Sequence, residues 1–315
     1  MRRVALVDNP ASGQSSPYRK SIVRDTLAAL RQAGVETGQY TIDGPGSGSQ
    51  LAHQAIARGC DAILVAGGDG TVHEILQSLV GTDVALGVVP MGTANALASN
   101  LGLAGSPAKA IQRLLRAEPV KVPVGRITFR AQDGSEQSRY FTVAAGIGAD
   151  ALLMARMDPA LKRRFGYLLY LVEAARIWAS HPFPLFQASF VNGSGIPRTE
   201  HASQILAVRV RSFGGVLGRL APGASLHSHN LALLAFKTRS RLRYLRFLLA
   251  VVASRQTFSP EVELISADSV ECRAANGSST PIYVEADGEV LGHLPARIEI
   301  AAETLTLLVP PDTQP

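Results

Sequence analysis

The fold is decided by two adjoining stretches, AILVAGGDGTVHEILQSL (residues 62–79) and VALGVVPMGTANALASNL (residues 84–101). The apolar run 62–66 ends in glycines, as in a strand that is buried on both faces of a parallel sheet. Apolar residues at helical spacing follow, and Thr71 with Glu74 matches the capping box that begins many helices. The turn between strand and helix consists of Gly67, Gly68, Asp69, Gly70 and Thr71. Because glycines let a ligand approach the backbone and a helix start attracts anions, we predict a phosphate site here.

A second glycine-containing turn follows the next strand. The run 84–89 has the composition of another buried strand, and Leu97 and Leu101 lie four residues apart in the helical stretch behind it. The turn consists of Pro90, Met91, Gly92, Thr93, Ala94 and Asn95. In open α/β sheets ligands bind at the carboxyl ends of the strands, so the two turns predict one binding edge.

Two more strand–helix units precede these. The runs 3–7 and 35–42 are predicted strands, and each is followed by apolar residues at helical spacing. Four such units in succession imply a parallel sheet with right-handed crossovers. Small polar residues also follow the first two strands, namely Asn9, Ser12 and Thr41. Each is an ordinary turn former by itself, but four sets at one edge favour a nucleotide cleft.

After Pro119 the pattern changes to short β-type runs separated by turn signals such as Asp133-Gly134 and Asn192-Gly193. The predicted runs are 127–131, 139–144, 186–191, 205–210, 231–236, 262–265, 282–285, 298–301 and 305–309. We therefore predict an α/β domain with a parallel sheet over residues 1–125, and a second domain, a mainly antiparallel β-sandwich, over residues 126–295.

Composition limits the classes of function. Of the 315 residues, 46% are hydrophobic and 18% are charged, which indicates a globular chain, and the formal charge of +6 favours anionic partners. Nucleic acid is not predicted, since neither zinc-finger spacing nor a basic stripe with interleaved aromatics is present. No apolar run approaches the roughly 20 residues of a spanning helix, and Cys60 and Cys272 have no metal-ligand spacing. The expectation is a soluble, cytoplasmic protein.

Two basic stretches leave alternatives open. Arginines at 239, 241, 243 and 246 are interleaved with leucines and a phenylalanine over 242–249. This stretch could lie on an anionic bilayer, or its apolar face could pack on the β-domain while the arginines stay in water. Similarly, the run 162–164 could be a solvated helix end or could bind phosphate.

The two glycine turns resemble the nucleotide-binding core of the diacylglycerol kinase and sphingosine kinase superfamily, bacterial lipid kinase branch. NAD kinases and phosphofructokinases carry a related first turn, but the pair of turns at this spacing is more specific. The stretch 9–13 also matches an Asn-Pro-x-Ser-Gly turn of that family, and 144–150 resembles the segment that begins its second domain. The resemblance implies an NAD kinase or diacylglycerol kinase-like α/β domain to which residues 296–315 return.

The resemblance also implies a chemistry: a lipid kinase, with a place in phospholipid biosynthesis, that uses ATP and Mg²⁺ and for which diacylglycerol is the leading acceptor. The implied nucleotide-binding residues are Asn9, Ser12, Thr41, Gly67, Gly68, Asp69, Gly70, Thr71, Glu74, Gly92, Thr93 and Asn95. Asp69 would hold the catalytic Mg²⁺. Taken alone, Asp287-Gly288 would be a hairpin turn, but the family has an Asp-Gly-Glu at this place whose glutamate is taken as the proton acceptor. By that match Glu289 is the general base, and Asp287 could assist the metal or the base.

The chain departs from the family pattern in two places. Bacterial relatives often hold a structural Mg²⁺ with carboxylates in a loop that here reads GASLHSHNLA (223–232). Without carboxylates we predict that this second metal site is absent or weak, although His227 and His229 could suit a softer metal. The stretch Asn95-Ala96-Leu97-Ala98 is closer to sphingosine and ceramide kinases than to bacterial diacylglycerol kinases.

Three functions therefore stay open. The first is a lipid kinase that acts at the inner face of the membrane on diacylglycerol, or on a sphingosine-type, ceramide-type or other lipid. The second is a soluble-metabolite kinase of the NAD kinase type, and the third is a nucleotide- or lipid-binding protein without catalysis. The expected partner is a lipid at a membrane surface, and a homodimer is left open.

Overall fold

The chain divides into two compact units in a computed structural model, which describes residues 1–11, 16–92, 94–157, 167–193, 195, 197–213, 220–252, 261–275 and 281–313. Unit 1 consists of Met1–Val124 and Ala302–Pro315, and unit 2 consists of Gly125–Ala301. Two strands, β5 (Glu118–Arg130) and β15 (Glu289–Val309), contain the points of division.

Unit 1 is an α/β unit with a parallel sheet. Its strands are β1 (Arg3–Asp8), β2 (Glu36–Thr41), β3 (Ala62–Gly67) and β4 (Ala85–Pro90). Its helices are α1 (Ser16–Gln32), α2 (Ser47–Ala57), α3 (Asp69–Leu79), α4 (Ala96–Asn100) and α5 (Pro107–Leu114). The strands pair in the order β4-β3-β1-β2, all parallel, and the last part of β15 lies parallel to β4.

Burial explains why this sheet forms. Every residue of β3 and β4 is buried, as expected for strands with helices on both faces. Helix α3 buries Val72, Ile75, Leu76 and Leu79, the apolar stripe seen in the sequence. The predicted succession of four strand–helix units is confirmed. Asp8 at the end of β1 pairs with Thr41 at the end of β2, and Gly67 at the end of β3 pairs with Pro90 at the end of β4. The carboxyl ends of the strands therefore share one edge of the sheet.

Unit 2 is a β-sandwich with three helices among its described residues. Its strands besides parts of β5 and β15 are β6 (Glu136–Phe141), β7 (Ala144–Gly148), β8 (Phe186–Val191), β9 (Arg198–Ala202), β10 (Gln204–Val208), β11 (Leu231–Phe236), β12 (Val262–Ala267), β13 (Ser269–Ala274) and β14 (Tyr283–Ala286). Its helices are α6 (Ala149–Arg156), α7 (Tyr167–Ser180) and α8 (Arg241–Val252).

The strands of unit 2 pair antiparallel. One series runs β12-β11-β10-β7-β14-β15, and a second runs β9-β8-β13-β15. Alternate residues of the strands of unit 2 point into one apolar core, with Phe129 of β5, Ile147, Phe186, Leu233 and Ile298 among them. The fold class predicted from the sequence is confirmed in both units.

Several strands differ from the prediction. Asn192-Gly193 leads into β9, which the sequence pattern does not reveal because three of its five residues are exposed and polar. Strand β13 is not among the predicted runs either. The runs 298–301 and 305–309 are parts of one strand, β15. The Asp133-Gly134 hairpin is confirmed, with Arg130 opposite Glu136, whereas the basic run 162–164 lies outside the described residues.

Candidate active site

The first glycine turn is shorter than predicted, because helix α3 already begins at Asp69 after an extended N-cap at Gly68. The first helical hydrogen bond runs from the Val72 N–H to the Gly68 carbonyl, at 3.1 Å. The N–H groups before Val72 therefore lie ahead of the helical ladder, at the positive end of the helix dipole. This is the arrangement in which helix starts bind phosphate.

The predicted capping box is wrong. Since the helix begins at Asp69, Thr71 lies inside its first turn and cannot be the N-cap. The Thr71 hydroxyl instead accepts a hydrogen bond from Asn9 Nδ2 at 2.7 Å, and Glu74 Oε1 accepts one from the Gly48 N–H at 2.9 Å. These two side chains tie the start of α3 to the turn after β1 and to helix α2.

The two glycine turns touch backbone to backbone. A methyl group added at Gly92 would lie 2.7 Å from Gly68 Cα, and one added at Gly67 would lie 2.9 Å from Thr71 Cβ. Real Cβ atoms do not approach that closely, so glycine is required where the turns meet.

Asp69 and Asn95 close this junction with hydrogen bonds. Asp69 Oδ1 accepts from the Ala96 N–H at 2.8 Å, which caps helix α4 across the two turns. Asn95 adopts a left-handed conformation (φ 47°), and its amide both accepts from the Gly92 N–H and donates to the Gly92 carbonyl, at 2.9 and 2.7 Å. The junction is therefore held by local polar contacts around a glycine pair.

Most of the nucleotide-binding residues implied by the resemblance lie at this edge. Asn9 contacts Thr71, and the glycines of the implied set belong to the two turns, as do Asp69 and Asn95. Thr41 is exposed at the end of β2, opposite Asp8. Ser12 and Thr93 lie outside the described residues.

A buried carboxyl group at the same edge was missed. Asp8 ends β1 and is 8% exposed, and burial raises its pKa, while Arg19, with Nε 3.7 Å from Asp8 Oδ1, opposes that shift. Arg19 also donates to the Pro10 carbonyl at 2.6 Å and so braces the turn after β1. The signal in the sequence is an aspartate directly after an apolar strand.

In unit 2, Asp287 and Gly288 form the hairpin turn between β14 and β15, both with positive φ (49° and 86°). The Asp287 carboxylate accepts hydrogen bonds from the N–H groups of Thr142, Val143 and Ala144, at 3.0, 2.8 and 3.1 Å. Its own N–H donates to the Ala144 carbonyl at 2.8 Å. Asp287 therefore anchors the hairpin to the β6–β7 connection, and its assistance to a metal or a base stays a prediction.

Glu289 is the first residue of β15 and is exposed to solvent. It lies opposite Ala286 across the turn that Asp287 holds. A carboxylate on a fixed strand end with access to solvent can accept a proton from a bound hydroxyl group.

Two buried carboxyl groups, Asp150 and Glu285, lie close to this hairpin and were also missed. A methyl group added at Gly146 would lie 1.8 Å from Asp150 Oδ2 and 2.8 Å from Glu285 Oε1, so both carboxyl groups converge over that glycine. Glu285 also accepts a hydrogen bond from the Gly288 N–H at 2.8 Å. Burial raises the pKa of Asp150 to about 7, and burial with repulsion by Asp150 raises the pKa of Glu285 well above its usual range.

The sequence contains a signal for Asp150. A strand that ends in glycine and leads into a helix with an aspartate in its first turn occurs at Gly148–Asp150 as it does at Gly67–Asp69. Glu285 carries no comparable signal, because an acidic residue beside an Asp-Gly turn is usually exposed.

Arg209 is a buried cation that the sequence did not indicate. It is 1% exposed and donates to the carbonyl groups of Leu226 and Ser228, at 2.8 and 3.2 Å. Burial lowers the pKa of Arg209 to about 10, and the attraction of Asp287 opposes that shift. The loop that carries a structural Mg²⁺ in the family pattern thus gives two of its carbonyl groups to a guanidinium.

Few of the described residues are candidate ligands for a metal ion. Within the described part of the chain, no cluster of three or more His, Cys, Asp or Glu side chains could hold a metal ion. His227 and His229 are exposed, and the weak second metal site stays a prediction. Mg²⁺ in kinases is held by one or two carboxylates together with substrate phosphates, so the single carboxylate of Asp69 suits that mode of binding.

Comparison with known protein families assigns both parts of the chain. The model of the diacylglycerol kinase catalytic domain matches residues 3–127, and the model of the YegS C-terminal NAD kinase beta sandwich-like domain matches residues 142–309. The chain belongs to the diacylglycerol kinase/YegS family of lipid kinases. The resemblance seen in the sequence is confirmed, and so is the expectation of a lipid kinase.

Individual members of this family match over nearly their whole length. A diacylglycerol kinase from Mycobacterium tuberculosis is 28% identical and covers 98% of this chain and 95% of its own, and one from Bacillus subtilis is 25% identical, with 94% and 92% covered. A crystal structure of a diacylglycerol kinase from Bacillus anthracis matches with a TM-score of 0.71 at 18% identity and covers 99% of this chain and 98% of its own. Yeast NADH kinase matches with a TM-score of 0.52 at 12% identity, over 98% and 83%. The two structures share the fold of this lipid kinase.

No helix in the described part of this family member is long and apolar enough to cross a membrane.

Proposed function

We propose that this lipid kinase transfers the γ-phosphoryl group of ATP to a hydroxyl group of diacylglycerol. The observation that carries the proposal is the contact of the two glycine turns, across which Asp69 bonds to Ala96. That junction provides helix-start N–H groups and a carboxylate at one sheet edge. The choice of acceptor is supported by the relatives from M. tuberculosis and B. subtilis, which are named diacylglycerol kinases.

In this proposal unit 1 binds the nucleotide. The N–H groups at the start of α3 hold phosphate oxygens, and the contact of Gly68 with Gly92 leaves room for them by keeping side chains away. Asn95 fixes the second turn, and Asn9 fixes Thr71. Thr41, Glu74 and, outside the described residues, Ser12 and Thr93 complete the nucleotide-binding set.

Asp69 is the proposed Mg²⁺ ligand. Its Oδ1 accepts the Ala96 N–H, and a hydrogen bond of this kind orients a metal-binding carboxylate. When bound, Mg²⁺ neutralises charge on the phosphate oxygens during transfer.

Glu289 is the proposed general base. It takes the proton of the acceptor hydroxyl as the oxygen forms its bond to phosphorus, and ADP leaves with the electrons of the broken phosphoanhydride bond. Support comes from the hairpin itself: Asp287 holds the turn with three backbone N–H groups, and Glu285 holds the Gly288 N–H. A base on so fixed a turn loses little entropy when it meets its substrate.

Two other classes of acceptor, a sphingosine- or ceramide-type lipid and a dinucleotide, are the alternatives. The stretch Asn95-Ala96-Leu97-Ala98 is closer to sphingosine and ceramide kinases, and the fold is shared with yeast NADH kinase. We place the enzyme in the cytoplasm, at the inner face of the membrane, because its proposed substrate lies there.

The test is transfer of label from γ-labelled ATP in the presence of Mg²⁺. The acceptors are diacylglycerol, sphingosine and ceramide in mixed micelles, with NAD in parallel. Label in diacylglycerol would support the proposal, and label in another lipid would change the acceptor. Label in NAD alone, or no label from a protein that binds ATP, would overturn the proposal.

A further inference from the structure

Helices α7 and α8 expose apolar side chains that the fold of unit 2 does not use. Five large hydrophobic residues on them are exposed by 36% or more: Leu171, Val172, Trp178, Leu242 and Leu249. Only two other such residues occur in the described parts of the chain, Tyr18 and Val290. We call these five side chains the α7–α8 face.

The exposed residues form stripes along the helices. Leu171 and Trp178 are seven residues apart, as are Leu242 and Leu249, and residues at that spacing lie on the same side of a helix, two turns apart. The two helices contact each other at Trp178, whose Nε1 donates to the Arg241 carbonyl at 2.9 Å. The two stripes therefore belong to neighbouring elements.

The opposite sides of the same helices are buried. Ile177, Tyr244, Phe247 and Val251 belong to a core cluster, and Tyr244 stacks between Phe183 and Phe236 with ring centroids 4.4 and 4.6 Å apart. The core thus fixes both helices, and the exposed leucines are available to a partner outside unit 2. The sequence allows two interpretations of the stretch 239–249, packing of its apolar face on the β-domain or contact with an anionic bilayer. The structure shows such packing only for the buried side of the helix.

Charge identifies the partner. Helix α8 and the residues just before it carry Arg239, Arg241, Arg243 and Arg246, all exposed. Arg243 pairs with Glu261 at 2.6 Å, whereas no carboxylate in the described part of the chain lies within ion-pair distance of Arg239, Arg241 or Arg246. The one acidic residue of the two helices, Glu173, is buried and paired with Arg176.

We propose that the α7–α8 face docks this kinase on an anionic lipid bilayer. Leucines and tryptophan enter the acyl boundary and interface, and the arginines contact anionic headgroups, the combination by which amphipathic surfaces bind such membranes. This inference rests on the proposed function, because a kinase for a membrane lipid must reach the bilayer.

A cavity lies near the buried side of helix α8. It has a volume of about 260 Å³ and is lined by Leu152, His181, Pro184 and Ile282 among others. His181 follows α7, and its carbonyl accepts a hydrogen bond from Arg241 at 3.4 Å. Ser203, in the cavity wall, bonds to the hydroxyl of Tyr244 on α8 at 2.7 Å. One face of α8 therefore meets solvent while the other supports this cavity.

The first test is binding of the full chain to phosphatidylcholine vesicles with and without phosphatidylglycerol, measured by co-sedimentation. The double variant Leu242→Glu/Leu249→Glu should lower the partition coefficient by about tenfold for each leucine. Tyr18→Glu is the matched control, since Tyr18 is 47% exposed on α1 of unit 1, and it should bind as the wild type does.

The arginines are tested separately. In Arg239→Gln/Arg241→Gln/Arg246→Gln, binding to anionic vesicles should fall by about fivefold for each arginine, with little change on pure phosphatidylcholine. High salt should weaken wild-type binding to anionic vesicles in the same way.

Unchanged vesicle binding of the leucine variant, or an equal loss in Tyr18→Glu, would overturn the inference. If the leucine variant instead dissociates a dimer in sedimentation without lipid, and vesicle binding is unchanged, the face belongs to a second copy of the chain. Turnover of a water-dispersed short-chain diacylglycerol separates this inference from the proposed function. With this short-chain substrate the leucine variant should keep wild-type turnover. If the wild type phosphorylates no lipid at all, the proposed function is contradicted, but vesicle binding can still be measured.

Discussion

The glycine turns of unit 1 and the acidic hairpin of unit 2 achieve rigidity by opposite means. At the glycine turns the backbone itself makes the contact, and side chains are excluded, as at Gly68 and Gly92. At the hairpin one carboxylate, Asp287, receives three backbone N–H groups, and a second, Glu285, is buried beside it. The first region depends on the absence of side chains, and the second depends on carboxyl groups that accept backbone N–H groups. Substitutions should therefore fail through steric overlap in one region and through unsatisfied polar groups in the other.

The largest effect on stability is expected at the hairpin. Asp287→Asn replaces a carboxylate oxygen with an N–H₂ group that faces backbone donors, so we expect a loss of about 3 kcal/mol in the free energy of unfolding. Asp133→Asn is the matched control, an exposed hairpin aspartate that accepts from the N–H and hydroxyl groups of Ser135. Its loss should stay below about 1 kcal/mol in urea unfolding. Equal losses would show that the three N–H contacts add nothing.

The glycine junction should lose about 2 kcal/mol in Gly92→Ala, because the new methyl group meets backbone that cannot move aside. ATP affinity, measured by calorimetry, should fall with it, since the phosphate turn must shift. Gly44→Ala is the control, as nothing lies within 4 Å of a methyl group there. Normal ATP binding by Gly92→Ala would separate the junction from the nucleotide site.

The buried pair of Asp150 and Glu285 should appear in the pH dependence of stability. Their raised pKa values mean that the folded state keeps protons that the unfolded state loses above about pH 4. This contribution therefore lowers the free energy of unfolding as the pH rises from about 4 to about 7, by up to 1.4 kcal/mol per pH unit for each proton.

Asp150→Asn removes one of these protons. As the pH rises through this window, the free energy of unfolding of the variant should therefore increase relative to that of the wild type. Parallel curves from urea unfolding at several pH values would mean that Asp150 does not titrate differently in the two states.

The smallest effect is expected at the Asn9–Thr71 contact. Thr71→Val keeps the shape but leaves Asn9 Nδ2 without this acceptor, so we expect a loss of about 1 kcal/mol. Thr41→Val, at an exposed strand end, should change the free energy of unfolding by less than about 0.5 kcal/mol. If the Thr71 variant is as stable as the Thr41 variant, the Asn9–Thr71 contact does not stabilise the turn.

The contrast also explains what could be predicted from the sequence. The glycine turns are local, so strand, turn and helix follow one another in the chain, and periodicity with glycine positions reveals them. The capping box fails because Thr71 and Glu74 bind Asn9 and Gly48, which are distant in sequence. The hairpin depends on partners 143 to 145 residues away, so no local pattern shows that Asp287 binds the β6–β7 connection. Arg209, Asp150 and Glu285 could not be predicted for the same reason, since burial of an ionisable group is a property of the assembled sheet.

The variant Glu289→Gln tests whether Glu289 is the proton acceptor of this lipid kinase. Turnover of diacylglycerol should fall by roughly 10²- to 10⁴-fold, while the Kd for ATP stays within about twofold of the wild-type value. Glu136→Gln is the control, because Glu136 is also an exposed glutamate that begins a strand after an Asp-Gly turn, and it should keep full turnover. If Glu289→Gln turns over diacylglycerol as fast as the wild type does, Glu289 is not the general base.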